Sequence, residues 1–262
     1  MFPRKLSTPP TFGFLNRIRS TIKRPDLDYL LTSIASTSLG HGEAWLPVIF
    51  SHAIKRPLNL SLESQNLQNP LDQYKILVFR QMKEAIIKAS ILIGVPKAIE
   101  ASLTLKETGS KFEVHEHTFT RKHFMDLTFQ DLINKGDQGM SRVYKGDIDG
   151  IFKYMGPDLV DIQLMSRAIT YGFFLSPVQP ESPLTPQQVQ AVILSALISQ
   201  RAKREIVWHL RGALRHGFDR DEIESIQSAV ELVSAQCTGE HNFSDGLARI
   251  KDIEEEPQEQ AK

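Results

Sequence analysis

The chain has 262 residues, 41% of them hydrophobic, enough to bury a core as one large domain or as two halves of ordinary size. Its 31 basic and 31 acidic side chains cancel, so no global field draws in nucleic acid or anionic lipid, and no apolar run approaches the about 18 residues of a membrane span. One cysteine, Cys237, excludes an internal disulfide, a CxxC redox pair and a cysteine-rich zinc site, and fits a reducing compartment.

Residues 1–25 carry Arg4, Lys5, Arg17, Arg19, Lys23 and Arg24 and no acid. Phe14, Leu15, Ile18 and Ile22 fall on one side of a helix and the basic residues on the other. This is the character of a mitochondrial transit peptide, and equally of a basic tail, so the expected location is mitochondrial, otherwise cytoplasmic.

Four stretches read as strong helices and no array of strands appears. The first, PDLDYLLTSIASTS, starts at Pro25 and Asp26. The second, NPLDQYKILVFRQMKEAIIKASILIG, repeats apolar residues every three or four positions and is closed by Gly94 and Pro96. PKAIEASLTLKETG then resumes the pattern as far as Gly109. The stretch 110–150, punctuated by Gly136, Gly139, Gly146 and Gly150, reads as a loop-rich bridge with short helices at most.

GPDLVDIQLMSRAITYGFFLS recovers the helical period, with Pro157 at its start. In SPLTPQQVQAVILSALISQRAKREIVWHLRGALRHG, Thr185 is the N-cap, Pro186 takes the first helical position and Gln188 completes a capping box. Gly217 is placed to end that helix left-handed. Asp219 with Glu222 caps the next, and Phe218 with Ile223 forms a staple. Residues 251–262, acidic and containing Pro257, read as a disordered tail. The whole is all-α, one helical domain over 26–250 built from helix-rich halves at about 26–110 and 150–240.

EIVWHLRGALRHGFDRDEIESI resembles the E-x-x-x-H-x-x-x-A-x-x-x-G-x-x-x-x-E-I signature of the carboxymuconolactone decarboxylase-like, or AhpD-like, superfamily, with Glu205, His209, Ala213, Gly217, Glu222 and Ile223 at its positions. MKEAIIKASILIGVPKAIEA is similar to a segment of fungal-type members, and the likeness spans most of residues 70–235. The resemblance implies an AhpD-like helical fold in two related halves, a homo-oligomer (dimer, trimer or hexamer), and small-molecule pockets near subunit contacts. The redox branch carries a CxxC whose second cysteine lies four residues before the signature histidine. Ala202 and Glu205 stand there instead, so a thiol peroxidase is disfavoured and the decarboxylase-like branch is the better match.

Glu205, His209, Gly212 and His216 fall within about 60° of one another on a helical wheel. A carboxylate four residues before an imidazole can fix its tautomer, which general acid–base catalysis uses. The same pair also reads as a surface contact worth about 0.2–0.5 kcal/mol. Gly212 lets a ligand or a neighbouring helix approach, His216 sits where the helix dipole favours a cation, Trp208 packs or binds, and Arg80 could clamp a carboxylate. Glu84 and Lys88 read as a helix-stabilising pair.

Glu113, His115, Glu116, His117 and His123 lack the spacing that aligns two imidazoles on one helix face, and no metal is assigned to them. The expectation is thus a cofactor-free acid–base enzyme on a small oxo- or lactone-type acid, with His209 as acid–base and Glu205 orienting it. A non-catalytic oligomer that binds a ligand or partner is the rival, and a thiol-dependent activity of Cys237 the third reading.

Overall fold

The computed structural model describes residues 8–55, 70–176 and 182–254; Arg4, Lys5 and residues 255–262 of the expected tail lie outside the described residues, whereas the start of that tail forms a 3-10 turn over Ile250–Asp252 with Ile253 buried. The described chain is helical throughout and contains no strand, so the expected all-α class holds.

Two helices form the centre. α2 (Asp28–Ser38) is buried on every side, and α9 (Pro186–Ser199) is buried from Gln188 to its end. α2 fills its buried polar positions mostly with small Ser and Thr: Thr32 Oγ1 donates to the Asp28 carbonyl at 2.7 Å and Ser36 Oγ to that of Ser33 at 3.2 Å, while the hydroxyls of Ser33, Thr37 and Ser38 find no hydrogen-bond partner among the described residues. Ser195 Oγ of α9 donates to the Leu31 carbonyl at 2.8 Å, tying the two helices together.

Around this pair pack α3 (Gly42–Ala53), α4 (Pro70–Ile93), α10 (Lys203–Arg215) and α11 (Arg220–Thr238), while α5 (Val95–Lys111) covers α3 and α4. One continuous apolar core runs through both ends of the chain.

The N-terminal segment is part of that core. α1 (Phe12–Thr21) lies on α3 and α11 with Leu15, Ile18 and Ile22 buried, and Trp45 Nε1 donates to the Thr8 carbonyl at 3.1 Å. The amphipathic face read from the sequence is real, and it faces the protein's own interior.

The cap signals place their helices as expected. Thr185 and Gln188 make a reciprocal capping box, as do Asp219 and Glu222, and Gly217 is left-handed at φ 85°. α9 and α10 do not run on as one helix, because the chain turns at Gln200–Ala202 with Arg201 at φ 56°.

The bridge at 110–150 is more helical than its glycines suggest. α6 (Phe129–Tyr144) starts on a Thr128–Asp131 capping box, and α7 (Asp147–Met155) follows. Gly136 and Gly139 are packing residues there, not breakers. α8 (Val160–Leu164) continues into a π-helix over Met165–Leu175 that lies against α6, and a Cβ on Gly136 would stand 1.7 Å from the Arg167 carbonyl oxygen. Gly172 makes the reciprocal approach, 2.2 Å from the Leu132 carbonyl oxygen. The backbones meet where no side chain fits. Eleven residues of π-helix are unusual, since i→i+5 bonding is mostly confined to single turns, often at functional sites.

Candidate active site

α10 begins after the turn at Arg201 and presents Ile206, His209, Leu210 and Ala213 to the interior. The imidazole of His209 is 4% exposed and is met by three side chains from three other elements: Gln190 of α9, Tyr144 at the end of α6 and Tyr171 of the π-helix.

The proton on this ring can be located. Gln190 Nε2 lies 2.9 Å from the His209 carbonyl oxygen and 3.0 Å from His209 Nδ1. A carbonyl accepts only from a donor, so the amide nitrogen must face it, and its second hydrogen goes to Nδ1. Nδ1 therefore accepts and the ring proton is on Nε2. That nitrogen faces the two phenols, at 3.3 Å from Tyr144 Oη and 3.4 Å from Tyr171 Oη.

Burial drives the His209 pKa down to about 3, with His216 adding repulsion, so the ring is neutral at physiological pH. The phenols are 3.0 Å apart, with Tyr171 donating to Tyr144. Burial raises Tyr144 to about 12, against the contrary pull of the Tyr171 hydrogen bond, and raises Tyr171 as well. Tyr144 Oη can thus accept from Tyr171 and from His209 Nε2–H and still hold a proton to give. That is the arrangement of a proton donor whose phenolate would be supported by two hydrogen bonds.

Tyr171 and Gln190 form one wall of a cavity of about 30 Å³, completed by Gly139, Ser176, His216 and, at its exposed side, Arg142. This is room for about two waters, or for a carboxylate group. His216 is held at its rim by Nδ1 on the Gly212 carbonyl at 2.7 Å.

A second buried polar cluster adjoins the first. Arg121 grips Glu84 with both terminal nitrogens, at 3.0 and 2.9 Å, and Lys88 Nζ stands 3.6 Å from Glu84 Oε1. Lys88 Nζ also donates to the carbonyls of Phe174 and Ser176 at 2.9 Å and of Leu175 at 3.4 Å. Arg121 Nε reaches the Phe173 carbonyl at 3.3 Å. A π-helix ends with carbonyls that have no partner within it. Here two buried cations satisfy them and fix the last turn, one turn after Tyr171. Burial lowers Lys88 to about 8, with Glu84 opposing that shift.

The residues singled out from sequence divide. His209 is at the centre, His216 is at the cavity rim, and Gly212 is where Val143 and Gln190 close on α10, a Cβ there lying 2.8 Å from Val143 Cγ1. Glu205 is exposed, and none of the hydrogen bonds of the His209 ring goes to its carboxylate; the orienting role expected of Glu205 is filled by Gln190. Trp208 lines a separate surface groove, and Arg80 stands 3.9 Å from Glu116, away from the cavity. Glu84 and Lys88, read as a helix-stabilising pair, are wholly buried.

Glu116 accepts from Lys83 and from the Thr118 amide. Among the described residues no three His, Cys, Asp or Glu side chains are grouped as metal ligands. Burial raises Cys237 to about 12, which keeps it as an unreactive thiol near neutral pH. Tyr144, Tyr171 and Gln190 carried no local motif. Only the fold brings them to His209.

No family model and no solved structure matches the chain. Two curated yeast proteins are similar to it. "Peroxisomal protein 2" of Saccharomyces cerevisiae is 25% identical over 203 residues, 69% of this chain and 70% of the relative. The protein of the same name from Schizosaccharomyces pombe is 24% identical over 161 residues, 61% of this chain and 71% of the relative. The peroxisomal names of these relatives overturn the mitochondrial location expected from the basic N-terminus, and the cytoplasmic one with it.

Proposed function

We propose that this chain is a peroxisomal protein of the AhpD-like, carboxymuconolactone decarboxylase-like kind that carries out proton transfer on a small oxo- or lactone-type acid. One observation carries this reading: a neutral imidazole of fixed tautomer is hydrogen-bonded to two buried phenols, one of which, Tyr171, lines a carboxylate-sized cavity with a cation at its exposed side. The roles differ from those expected of the helix alone. Gln190 orients His209, Nε2–H of His209 supports Tyr144, and the Tyr171–Tyr144 pair supplies or takes the proton. Arg142 attracts the substrate's carboxylate.

Deuterium incorporation tests this. A panel of small oxo acids and lactones is incubated with the protein in D₂O and followed by proton NMR. At least one member is expected to exchange a carbon-bound hydrogen or lose carboxylate, and Tyr171→Phe and His209→Gln are expected to abolish this. Unchanged turnover in both variants refutes the assignment. Peroxisomal location rests on the two relatives; a tagged chain that fails to overlap a peroxisomal marker contradicts it.

The rival reading, a non-catalytic oligomer, is favoured by the exposed apolar residues Val160, Ile162, Leu164 and Met165 in and just after α8. Sedimentation of Ile162→Lys against the natural chain tests it: a drop in oligomer size supports a subunit contact.

A further inference from the structure

A concavity larger than the one beside His209 lies on the surface. It is a surface groove of about 600 Å³ between α7, the start of α8 and α10, within the roughly 300–1,000 Å³ usual for small-molecule sites. Its apolar side is Ile151, Met155 and Leu159, and its aromatic groups are Tyr154 and Trp208. The opposite side carries two guanidiniums.

Arg204, Trp208 and Arg211 follow at i, i+4 and i+7 and so share one face of α10. Neither arginine has a carboxylate partner among the described residues. Arg204 stacks over the Tyr154 ring at 5.5 Å, and Arg211 makes no hydrogen bond or ion pair among the described residues. The groove's one acid, Asp147, is taken by Arg215 at 3.0 Å, one turn further along α10. The wall is therefore net cationic beside an apolar floor. Lone cations on a wall lined with large apolar and aromatic groups are what an amphipathic anion requires, its headgroup on the arginines and its chain on the floor.

We infer that this groove binds an organic anion with an apolar tail, of the alkyl carboxylate class, through Arg204 and Arg211. The groove touches the His209 centre through the edge-on contact of the Trp208 and Tyr144 rings at 6.1 Å, but the inference does not depend on the acid–base reading.

The chain has two tryptophans, and only Trp208 lies in the groove; Trp45 is 1% exposed in the core. Titration of the full chain with octanoate, followed by tryptophan emission, is expected to give a saturable change that Trp208→Phe removes. Octanol, with the same tail and no charge, is expected to bind about tenfold more weakly, and Arg211→Gln with Arg204→Gln to weaken octanoate by a comparable factor. His209→Gln is expected to leave the titration unchanged, which separates this site from the proposed activity. The inference is overturned if octanoate gives no saturable change, if octanol binds as well, or if the arginine variants bind octanoate normally. It is also overturned if those variants instead dissociate an oligomer, which would make the groove a contact with a second copy.

Discussion

The Gln190 side-chain amide spans from the backbone carbonyl of His209 to that residue's own ring, at 2.9 and 3.0 Å, and so decides which ring nitrogen carries the proton. Gln190→Leu keeps the volume and removes both donors. It should cost about 1–3 kcal/mol in urea unfolding, the range for a buried polar group left unpaired. The proposed activity should fall further than stability does, because the freed ring can take the other tautomer. A Gln190→Leu protein of unchanged stability would show that the bridge is not made.

His209 also sets a pH dependence. Its pKa is near 3 in the fold against 6.5 for a free imidazole, so the unfolded chain binds a proton that the folded chain refuses between those values. Stability is therefore full above about pH 6.5 and falls as the pH drops toward 3, by about 1.4 kcal/mol for each unit inside that window. His209→Gln should flatten this part of the curve. Equal slopes for the two proteins between pH 6 and 4 would contradict a buried neutral ring.

The buried cluster makes an asymmetric prediction. Glu84 is the one anion between Lys88 and Arg121. Removing it with Glu84→Gln leaves two buried cations facing each other and should cost about 3–5 kcal/mol. Lys88→Met leaves the Glu84–Arg121 pair intact and orphans carbonyls at the end of the π-helix. Its cost should be smaller, about 1–3 kcal/mol. Chemical denaturation of both variants gives the order, and a reversed order would mean that Lys88, not Glu84, holds the cluster together.

Glycines in the same region should differ sharply. Gly172→Ala places a Cβ 2.2 Å from the Leu132 carbonyl oxygen, a backbone contact that cannot swing aside, and should destabilise by about 1–3 kcal/mol or more. Gly150 in α7 has no atom within 4 Å of an added Cβ, so Gly150→Ala should be neutral or stabilise by up to about 1 kcal/mol. Thermal melts of the two single variants are enough to check this.

What was legible in the sequence was the part governed by local rules. The boxes at Thr185–Gln188 and Asp219–Glu222 and the left-handed Gly217 follow from short-range hydrogen bonding, and they hold. α3 escaped because Pro47 lies inside it and its apolar residues leave little polar face to mark a period. α6 escaped because Gly136 and Gly139 look like breakers until the π-helix against them is known. At the site, the spacing found His209 and assigned it the partner that helical geometry offers, Glu205. The observed partners lie 19, 38 and 65 residues away in sequence, where no window of local pattern could join them. The amphipathic face of α1 was read correctly. Its docking onto α3 and α11 depended on tertiary contacts that periodicity does not encode.

The most direct measurement is nitrogen-15 NMR of the His209 ring, assigned by comparison with His209→Gln, from pH 7.5 down to pH 4. A neutral ring with its proton on Nε2 across the whole range is expected, with Nδ1 reporting the hydrogen bond from Gln190. A ring that titrates near pH 6.5, or one protonated on Nδ1, would contradict the buried proton-transfer centre and the function proposed from it.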